Sequence, residues 1–197
     1  MNTGKWARRL IIAIGVVSST AYAGGMGPLD DVIQPRNDDT WSVAALRNGG
    51  WRFDNAATRY AITYYYLYPA GDESGRREVS VNVDVVAGEP DSLVGILYGF
   101  EEAPRSYFMF TLGGDRSVNL HYFDNGSMDE KMKLGIGDLA DGPVRLTVRE
   151  YGNEIALLVN GQEKSRIGND RIGRGAVGVV AAHVGQFQLN DFSIDVR

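Results

Sequence analysis

The chain has 197 residues, a formal net charge of −5 and no cysteine. An acidic chain without a run of basic residues is not expected to bind nucleic acid or an anionic membrane surface. Because cysteine is absent, the chain has no disulfide and no lipid anchor on an N-terminal cysteine, so packing has to stabilise its fold.

The first 23 residues have the three-part plan of a secretory signal peptide. Lys5, Arg8 and Arg9 precede a short apolar stretch at residues 10–17, and small residues lead to a predicted cleavage point after Ala23. The apolar stretch is shorter than the roughly 20 residues that span a bilayer, so we expect no transmembrane segment in the mature form. Cleavage would remove three basic and no acidic side chains, which moves the formal charge to −8. These features predict a periplasmic or secreted protein of bacterial type.

Residues 24–40 are rich in Gly, Pro and Asp and show no hydrophobic periodicity, which predicts a flexible N-terminal segment. From residue 41 to residue 197, apolar and polar residues alternate in many short runs, as in REVSVNVDVV, SVNLHYF and PVRLTVRE. Turn sequences such as GGDRS, DNGS and ADGP separate these runs. Many short strands with Gly-rich turns predict one all-β domain, a two-sheet antiparallel jelly-roll sandwich, over residues 41–197.

The clearest single hairpin lies in YGNEIALLVNGQEKS, residues 151–165. Asn160 and Gly161 stand between two strand-like runs. Asn-Gly is the dipeptide that a type I′ turn favours, because both of its central residues need a positive φ. We therefore predict a two-residue hairpin at this point.

The strand and turn sequences occur in a recognisable order along the chain. GGWRFDN comes first, VNVDVV and LVGILYGF follow, VRLTVREYGNEIALLVNGQEK comes next, and GAVGVVAAHVGQFQLNDFSIDV closes the chain. This order resembles the concanavalin A-like lectin/glucanase superfamily, in its laminin G-like and 3-keto-disaccharide hydrolase-like branch. The resemblance implies a jelly roll that binds a glycan or oligosaccharide. It leaves two alternatives open, a hydrolase of modified disaccharides and a structural or protein-interaction domain.

Catalytic motifs were sought in the same sequence. The glucanases of this superfamily carry their two catalytic carboxylates in an E-x-D-x-x-E spacing on one strand, and this spacing does not occur here. His121 and His183 are the only histidines, there is no G-x-S-x-G nucleophile turn, and no zinc-binding spacing is present. The sequence therefore favours a non-catalytic protein.

Polar residues stand opposite the core positions of several predicted strands. If these strands are neighbours in one sheet, their side chains form one concave binding surface, with aromatic rings to stack on a sugar. The candidate ligand-binding residues are Asn82, Asp84, Tyr107, Asn119, His121, Arg145 and Arg149, and further rings come from Tyr64, Tyr66 and Phe123. The alternative interpretation is an ordinary solvated sheet face, with the aromatic residues packed across strands.

A metal site is suggested by the last strand alone. QLNDFSIDV, residues 188–196, resembles the closing strand of glucanase-type jelly rolls, in which an aspartate binds a structural calcium ion. The resemblance places that role on Asp191. Calcium takes six to eight oxygen ligands, many of them backbone carbonyls, so one carboxylate beside a Gly-rich loop can contribute. The alternative is that Asp191 only forms hydrogen bonds within an edge turn.

Overall fold

The computed structural model describes residues 25–47, 49–67, 76–103, 105–125, 127–134, 139–168 and 175–197. The predicted signal peptide lies outside these residues. None of the helical structure within them has the length and apolar character needed to cross a membrane.

The described residues form a short 3₁₀ helix, Gly27–Leu29, and a series of strands. In chain order the strands are β1 (Arg36–Asn37), β2 (Ser42–Ala45), β3 (Trp51–Asn55), β4 (Ile62–Leu67), β5 (Arg77–Gly88), β6 (Leu93–Glu102), β7 (Arg105–Gly113), β8 (Val118–Asp124), β9 (Ser127–Leu134), β10 (Val144–Tyr151), β11 (Glu154–Val159), β12 (Gln162–Gly168), β13 (Ala176–Ala182) and β14 (Gly185–Val196).

The strands form two antiparallel sheets. The large sheet has eight strands in the order β1-β2-β3-β14-β5-β10-β11-β12, and the small sheet has six in the order β4-β13-β6-β7-β8-β9. Several pairs of neighbours in these orders are far apart in sequence, as in β14 beside β5 and β13 beside β6. The prediction of an all-β, two-sheet antiparallel jelly-roll sandwich is confirmed.

The core lies between the inner faces of the two sheets. Alternation on β5 and β10 places apolar residues on the inner side and polar residues on the outer side, because successive side chains of a strand point to opposite faces. The small sheet supplies larger side chains from β6 and β7. Fully buried core residues include Val79, Val81, Leu146, Val148, Val94, Ile96, Tyr98 and Phe110. Burying one such side chain stabilises the fold by about 1.5–3 kcal/mol.

Two bulges change the direction of side chains along a strand. Gly99 has φ +66° and lies where the pairing of β6 with β7 shifts between Tyr98 and Glu101. Asp191 has φ +52° and lies in a similar shift of β14 against β5. A bulge inserts one extra residue, so every side chain after it changes face. Phe100 consequently points outward from the small sheet, and Phe192 points into the core.

The N-terminal segment packs against the sandwich. Its buried apolar side chains are Met26, Leu29, Val32 and Ile33. The indole Nε1–H of Trp51 donates to Asp30 at 3.0 Å, and the Asp191 N–H donates to the Gly25 carbonyl at 2.7 Å. The prediction of a flexible segment over residues 24–40 is therefore corrected for these residues. Their irregular spacing suits a 3₁₀ turn, which strand alternation does not reveal.

The predicted hairpin is present. Val159 pairs with Gln162 across a two-residue turn, and φ is +50° at Asn160 and +79° at Gly161. These positive values confirm the prediction made from the dipeptide. The Asn160 side chain adds a contact that the sequence did not show, because its Oδ1 accepts a hydrogen bond from the Arg145 N–H at 2.9 Å.

We expect Gly161→Val to reduce the free energy of unfolding by about 1–3 kcal/mol, because a β-branched residue at positive φ is strained. Urea denaturation measures this loss. Asn160→Gly is the matched variant: it retains the turn geometry and removes only the hydrogen bond to Arg145, at a cost of about 1 kcal/mol. A Gly161→Val protein as stable as the wild type would contradict the turn assignment.

Candidate functional site

The predicted ligand-binding residues lie on opposite faces of the molecule. Asn82 and Asp84 of β5 and Arg145 and Arg149 of β10 occupy the outer side of the large sheet. The remaining three, Tyr107, Asn119 and His121, occupy the outer side of the small sheet. The prediction of one shared surface is therefore wrong. Its error is the assumption that β5, β8 and β10 are neighbours, which alternation within a strand does not determine.

On the large sheet, the predicted residues bind one another. The Arg145 guanidinium donates to Asn82 Oδ1 at 3.2 Å and to Ser80 Oγ at 2.8 Å. The Asn82 Nδ2–H in turn donates to Asp191 Oδ2 at 2.8 Å. These bonds link β10, β5 and the β14 bulge across the sheet. A ligand at this surface would have to replace them.

Asp84 and Arg149 are also paired on the large sheet. Arg116 Nη1 lies 3.2 Å from Asp84 Oδ1, and Arg149 Nε lies 2.5 Å from Glu78 Oε2. The hydrogen bond to Glu78 raises the pKa of Arg149 above its usual value. The outer side of the large sheet thus fits the alternative interpretation, a solvated face whose polar side chains satisfy each other.

The surroundings of Asp191 do not fit a calcium ion. Its carboxylate accepts the Asn82 amide N–H, and Arg145 Nη1 lies 3.4 Å from its backbone oxygen. Calcium requires several oxygen ligands, whereas these neighbours present a hydrogen-bond donor and a positive charge. The described residues contain no group of three or more His, Cys, Asp and Glu that could hold a metal ion. The calcium assignment is corrected to the alternative, an aspartate that holds a strand bulge through hydrogen bonds.

The outer face of the small sheet carries a continuous group of aromatic rings, which we call the aromatic row. Its members are Tyr64, Tyr66, Phe100, Tyr107 and Phe123. Ring centroids are 4.4 Å apart for Tyr66 and Phe100, 5.6 Å for Phe100 and Tyr107, and 4.8 Å for Tyr107 and Phe123. Tyr64 lies 5.8 Å from both Tyr66 and Phe100. The rings therefore contact one another from β4 to β8.

Exposure differs along the aromatic row. Phe100 and Tyr107 are buried, whereas Tyr64, Tyr66 and Phe123 are partly exposed. Burial raises the pKa of Tyr107 to about 12, so its hydroxyl stays protonated at neutral pH. The partly exposed rings are the ones that an external ligand can reach.

Small residues on β13 allow rings from separate strands to meet. β13 lies between β4 and β6, and its outward positions in this region are Ala176 and Gly178. Gly178 pairs with Tyr66 on one side and with Leu97 on the other. Because neither residue has a large side chain, Tyr66 can reach across β13 to Phe100.

Beyond the aromatic row, the same face becomes polar. Thr111 and Asn119 are paired across β7 and β8, and both side chains are buried. The Asn119 amide donates to Ser117 Oγ at 3.0 Å. The Thr111 hydroxyl has no hydrogen-bond partner within the described part of the chain. A buried hydroxyl without a partner costs free energy. Thr111 has no exposed surface, so a ligand on this face does not reach its hydroxyl.

An acidic residue borders this polar end. Ser117 Oγ donates to Asp115 Oδ1 at 2.5 Å, and Lys133 Nζ lies 3.0 Å from Asp115 Oδ2. Burial alone would raise the pKa of Asp115, but these hydrogen bonds outweigh burial and lower it. Asp115 is therefore ionised at neutral pH and serves as an acceptor.

Between the two ends, the outward positions of β6, β7, β8 and β13 carry no carboxylate. These positions are Gly95, Leu97, Met109, Thr111, Asn119, His121, Gly178 and Val180. On the edge strand β9 beside them, Glu130 pairs with His121. All of the positions on the four inner strands except His121 are buried, so the surface that a ligand can reach on this face is mainly that of the partly exposed rings.

Sequence reasoning identified part of this face. It named Tyr64, Tyr66, Tyr107 and Phe123 as possible rings, and the structure brings these four together. It missed Phe100 and Thr111. Phe100 has the same parity as the core residues of β6, and only the bulge at Gly99 turns it outward. A glycine inside a strand pattern is the one sequence signal of such a bulge.

Comparisons with known proteins agree on the fold. No protein-family model and no curated protein sequence matches the chain significantly. Carbohydrate binding module CBM66 from Bacillus subtilis aligns over 80% of this chain and 92% of its own, with a TM-score of 0.62 and 9% identity. A functionally unknown protein from Saccharomyces cerevisiae aligns over 80% of this chain and 96% of its own, with a TM-score of 0.57 and 13% identity.

A variant of human galectin-16 aligns over 70% of this chain and 98% of its own, with a TM-score of 0.50 and 18% identity. Identities this low establish a shared fold and leave the site residues to be argued from this chain. The two antiparallel sheets and these structural neighbours identify the fold as the concanavalin A-like jelly-roll sandwich.

Proposed function

We propose that this protein is an exported, non-catalytic glycan-binding module that holds an oligosaccharide on the outer face of its small sheet. The observation that carries the proposal is the aromatic row, which keeps three partly exposed rings, Tyr64, Tyr66 and Phe123, on one face. Aromatic side chains of this kind line ligand sites and can pack against the C–H faces of a pyranose.

Non-catalysis is supported by the sequence, which lacks the E-x-D-x-x-E spacing that places two catalytic carboxylates on one strand in the glucanases. Export is supported by the plan of the first 23 residues, with basic residues, an apolar stretch and a small-residue cleavage point. The shared fold with CBM66, a carbohydrate binding module, adds support at the level of the fold.

A glycan array with the mature protein, followed by calorimetric titration of the strongest ligand, tests the proposal. We expect Tyr66→Ala to weaken binding about tenfold, because a stacking ring contributes on the order of 1.4 kcal/mol. Tyr60→Ala is the matched control, since the Tyr60 side chain is 75% exposed and packs beside His183 away from the aromatic row. The affinity of Tyr60→Ala for the glycan should equal that of the wild type.

Phe123→Ala provides a second, independent readout, because Phe123 is the partly exposed ring at the other end of the aromatic row. We expect this variant to weaken binding about tenfold as well. Affinity unchanged in both Tyr66→Ala and Phe123→Ala would refute the site. Cleavage of the ligand during titration would favour the hydrolase alternative, and the absence of any glycan ligand would favour the protein-interaction alternative.

A further inference from the structure

An arginine-lined cavity lies at one end of the large sheet, whereas the aromatic row lies on the small sheet. Its volume is about 340 Å³. It is formed where β5 begins and where β10 and β14 end. We call it the arginine cavity, and its lining residues are Arg76, Arg77, Glu78, Arg149, Glu150, Tyr151 and Arg197. The volume lies at the lower end of the roughly 300–1,000 Å³ that small-molecule sites occupy.

The charge of the arginine cavity is opposite to that of the chain. Four arginines and two glutamates line it. Arg77, Arg149 and Arg197 form ion pairs with Glu150, Glu78 and Asp195, which leaves the positive charge of Arg76 in a protein of net charge −5. Electrostatic focusing in a cleft of one sign concentrates ligands of the other sign. The cavity is therefore suited to an anion.

The wall of the cavity is rigidly built. The Arg77 side chain is only 2% exposed and that of Glu150 only 5%, and Arg77 Nη2 lies 3.1 Å from Glu150 Oε1. Arg77 Nη1 also donates to the Gly175 carbonyl at 3.0 Å, and its guanidinium lies 4.8 Å from the centroid of the Tyr98 ring. The buried pair fixes the position of the wall.

Arg76 is an exposed residue in the lining of the cavity. The backbone of Arg76 is held by two hydrogen bonds to Arg197, at 2.7 and 2.9 Å. Its exposed guanidinium makes no hydrogen bond or ion pair in the part of the chain that the structure describes. Nearby, Arg149 uses Nε for Glu78 and Nη1 for the Tyr151 hydroxyl. Arg76 is thus the donor that an incoming anion can use without breaking an existing bond.

We propose that the arginine cavity binds the carboxylate of an acidic sugar, a uronic acid residue. The proposal rests on the proposed function, which makes a glycan the ligand of this protein. A guanidinium presents parallel N–H donors that match the two oxygens of a carboxylate. The half-buried Tyr151 side chain lines the cavity beside these donors, with the Arg166 guanidinium 4.8 Å from the centroid of its ring. The site is separate from the aromatic row and adds selectivity for acidic glycans.

Calorimetric titration with glucuronate, glucose and inorganic sulfate tests this site in the mature protein. Glucuronate should bind, and its affinity should fall as the salt concentration rises. Arg76→Gln should weaken its binding about tenfold, the effect of losing one charge-assisted contact. Arg47→Gln is the matched control, because Arg47 is an exposed arginine without a side-chain partner among the described residues and lies outside the cavity.

The outcomes separate the two proposals. Glucuronate binding that Arg76→Gln weakens and Arg47→Gln does not, with glucose showing no binding, supports the uronate site. Equal weakening in both arginine variants, sulfate affinity equal to that of glucuronate, or no glucuronate binding would overturn it. Loss of neutral-glycan binding in Tyr66→Ala concerns only the aromatic row. Either site can therefore fail in its own assay while the other holds.

Discussion

Replacing Glu150 with alanine is expected to reduce the free energy of unfolding by about 3–5 kcal/mol, the usual loss when one partner of a buried ion pair is removed. Glu150 accepts hydrogen bonds from the Arg77 backbone N–H at 2.9 Å and from the Tyr98 hydroxyl at 2.5 Å. The variant leaves the Arg77 charge inside the sandwich without its carboxylate. Denaturation by urea, monitored by circular dichroism, measures the loss.

The control for this variant is Glu163→Ala. Glu163 pairs with Arg166 at 2.9 Å, but both side chains are 40% exposed. Water already solvates this surface pair, so its removal should leave the free energy of unfolding unchanged within error. Similar losses in Glu150→Ala and Glu163→Ala would contradict the assignment of a buried, tightly coupled pair.

Glu150 should also make the stability of the protein depend on pH. Burial alone would raise the pKa of Glu150, but hydrogen bonds from Tyr98 and Arg77 outweigh burial and hold the pKa below its ordinary value of 4.5. A carboxyl group with a lowered folded pKa contributes stability above the unfolded pKa and loses it as pH falls through the folded pKa. Wild-type stability should therefore fall below about pH 4.5, and Glu150→Gln should show a smaller fall.

Gly178→Ala is expected to reduce the free energy of unfolding by about 3 kcal/mol, the upper end of the usual penalty for overpacking. A Cβ at residue 178 would lie 1.9 Å from the Tyr65 carbonyl oxygen and 2.5 Å from the Tyr66 Cα. Both atoms belong to the backbone of β4, so no side-chain rotation relieves the clash. β4 would have to move, and it carries Tyr64 and Tyr66. We therefore expect a lower melting temperature and an altered near-ultraviolet circular dichroism spectrum.

Gly152→Ala distinguishes this clash from the general effect of replacing a glycine. Gly152 lies in the β10–β11 turn with φ +61°, and a Cβ there would meet nothing within 4 Å. Gly152→Ala should reduce the free energy of unfolding by about 1–2 kcal/mol through backbone strain alone. The near-ultraviolet circular dichroism spectrum should stay unchanged. If Gly178→Ala retains wild-type stability and spectrum, the close approach of β13 and β4 at this glycine is wrong.

The fold class and the turn at Asn160-Gly161 could be predicted because both depend on neighbouring residues. Alternation on β5 determines which valines face the core, since successive side chains point to opposite faces. The positive φ that an Asn-Gly turn needs is likewise a property of two adjacent residues. The sequence also indicated the aromatic residues of β4, β7 and β8, although it could not show that their rings meet.

The tertiary structure decided the rest of the site. Strand order places Asn82 and His121 in different sheets, because strand pairing depends on residues far apart in the chain. The alternation of polar and apolar residues along a strand is the same in either sheet, so it does not show which sheet the strand joins. The bulges at Gly99 and Asp191 reverse the alternation, so Phe100 points outward and Asp191 forms hydrogen bonds in place of a metal site. The sequence by itself determined a β-sandwich. Contacts between distant strands, which local patterns do not specify, determined which of its faces carries the aromatic row.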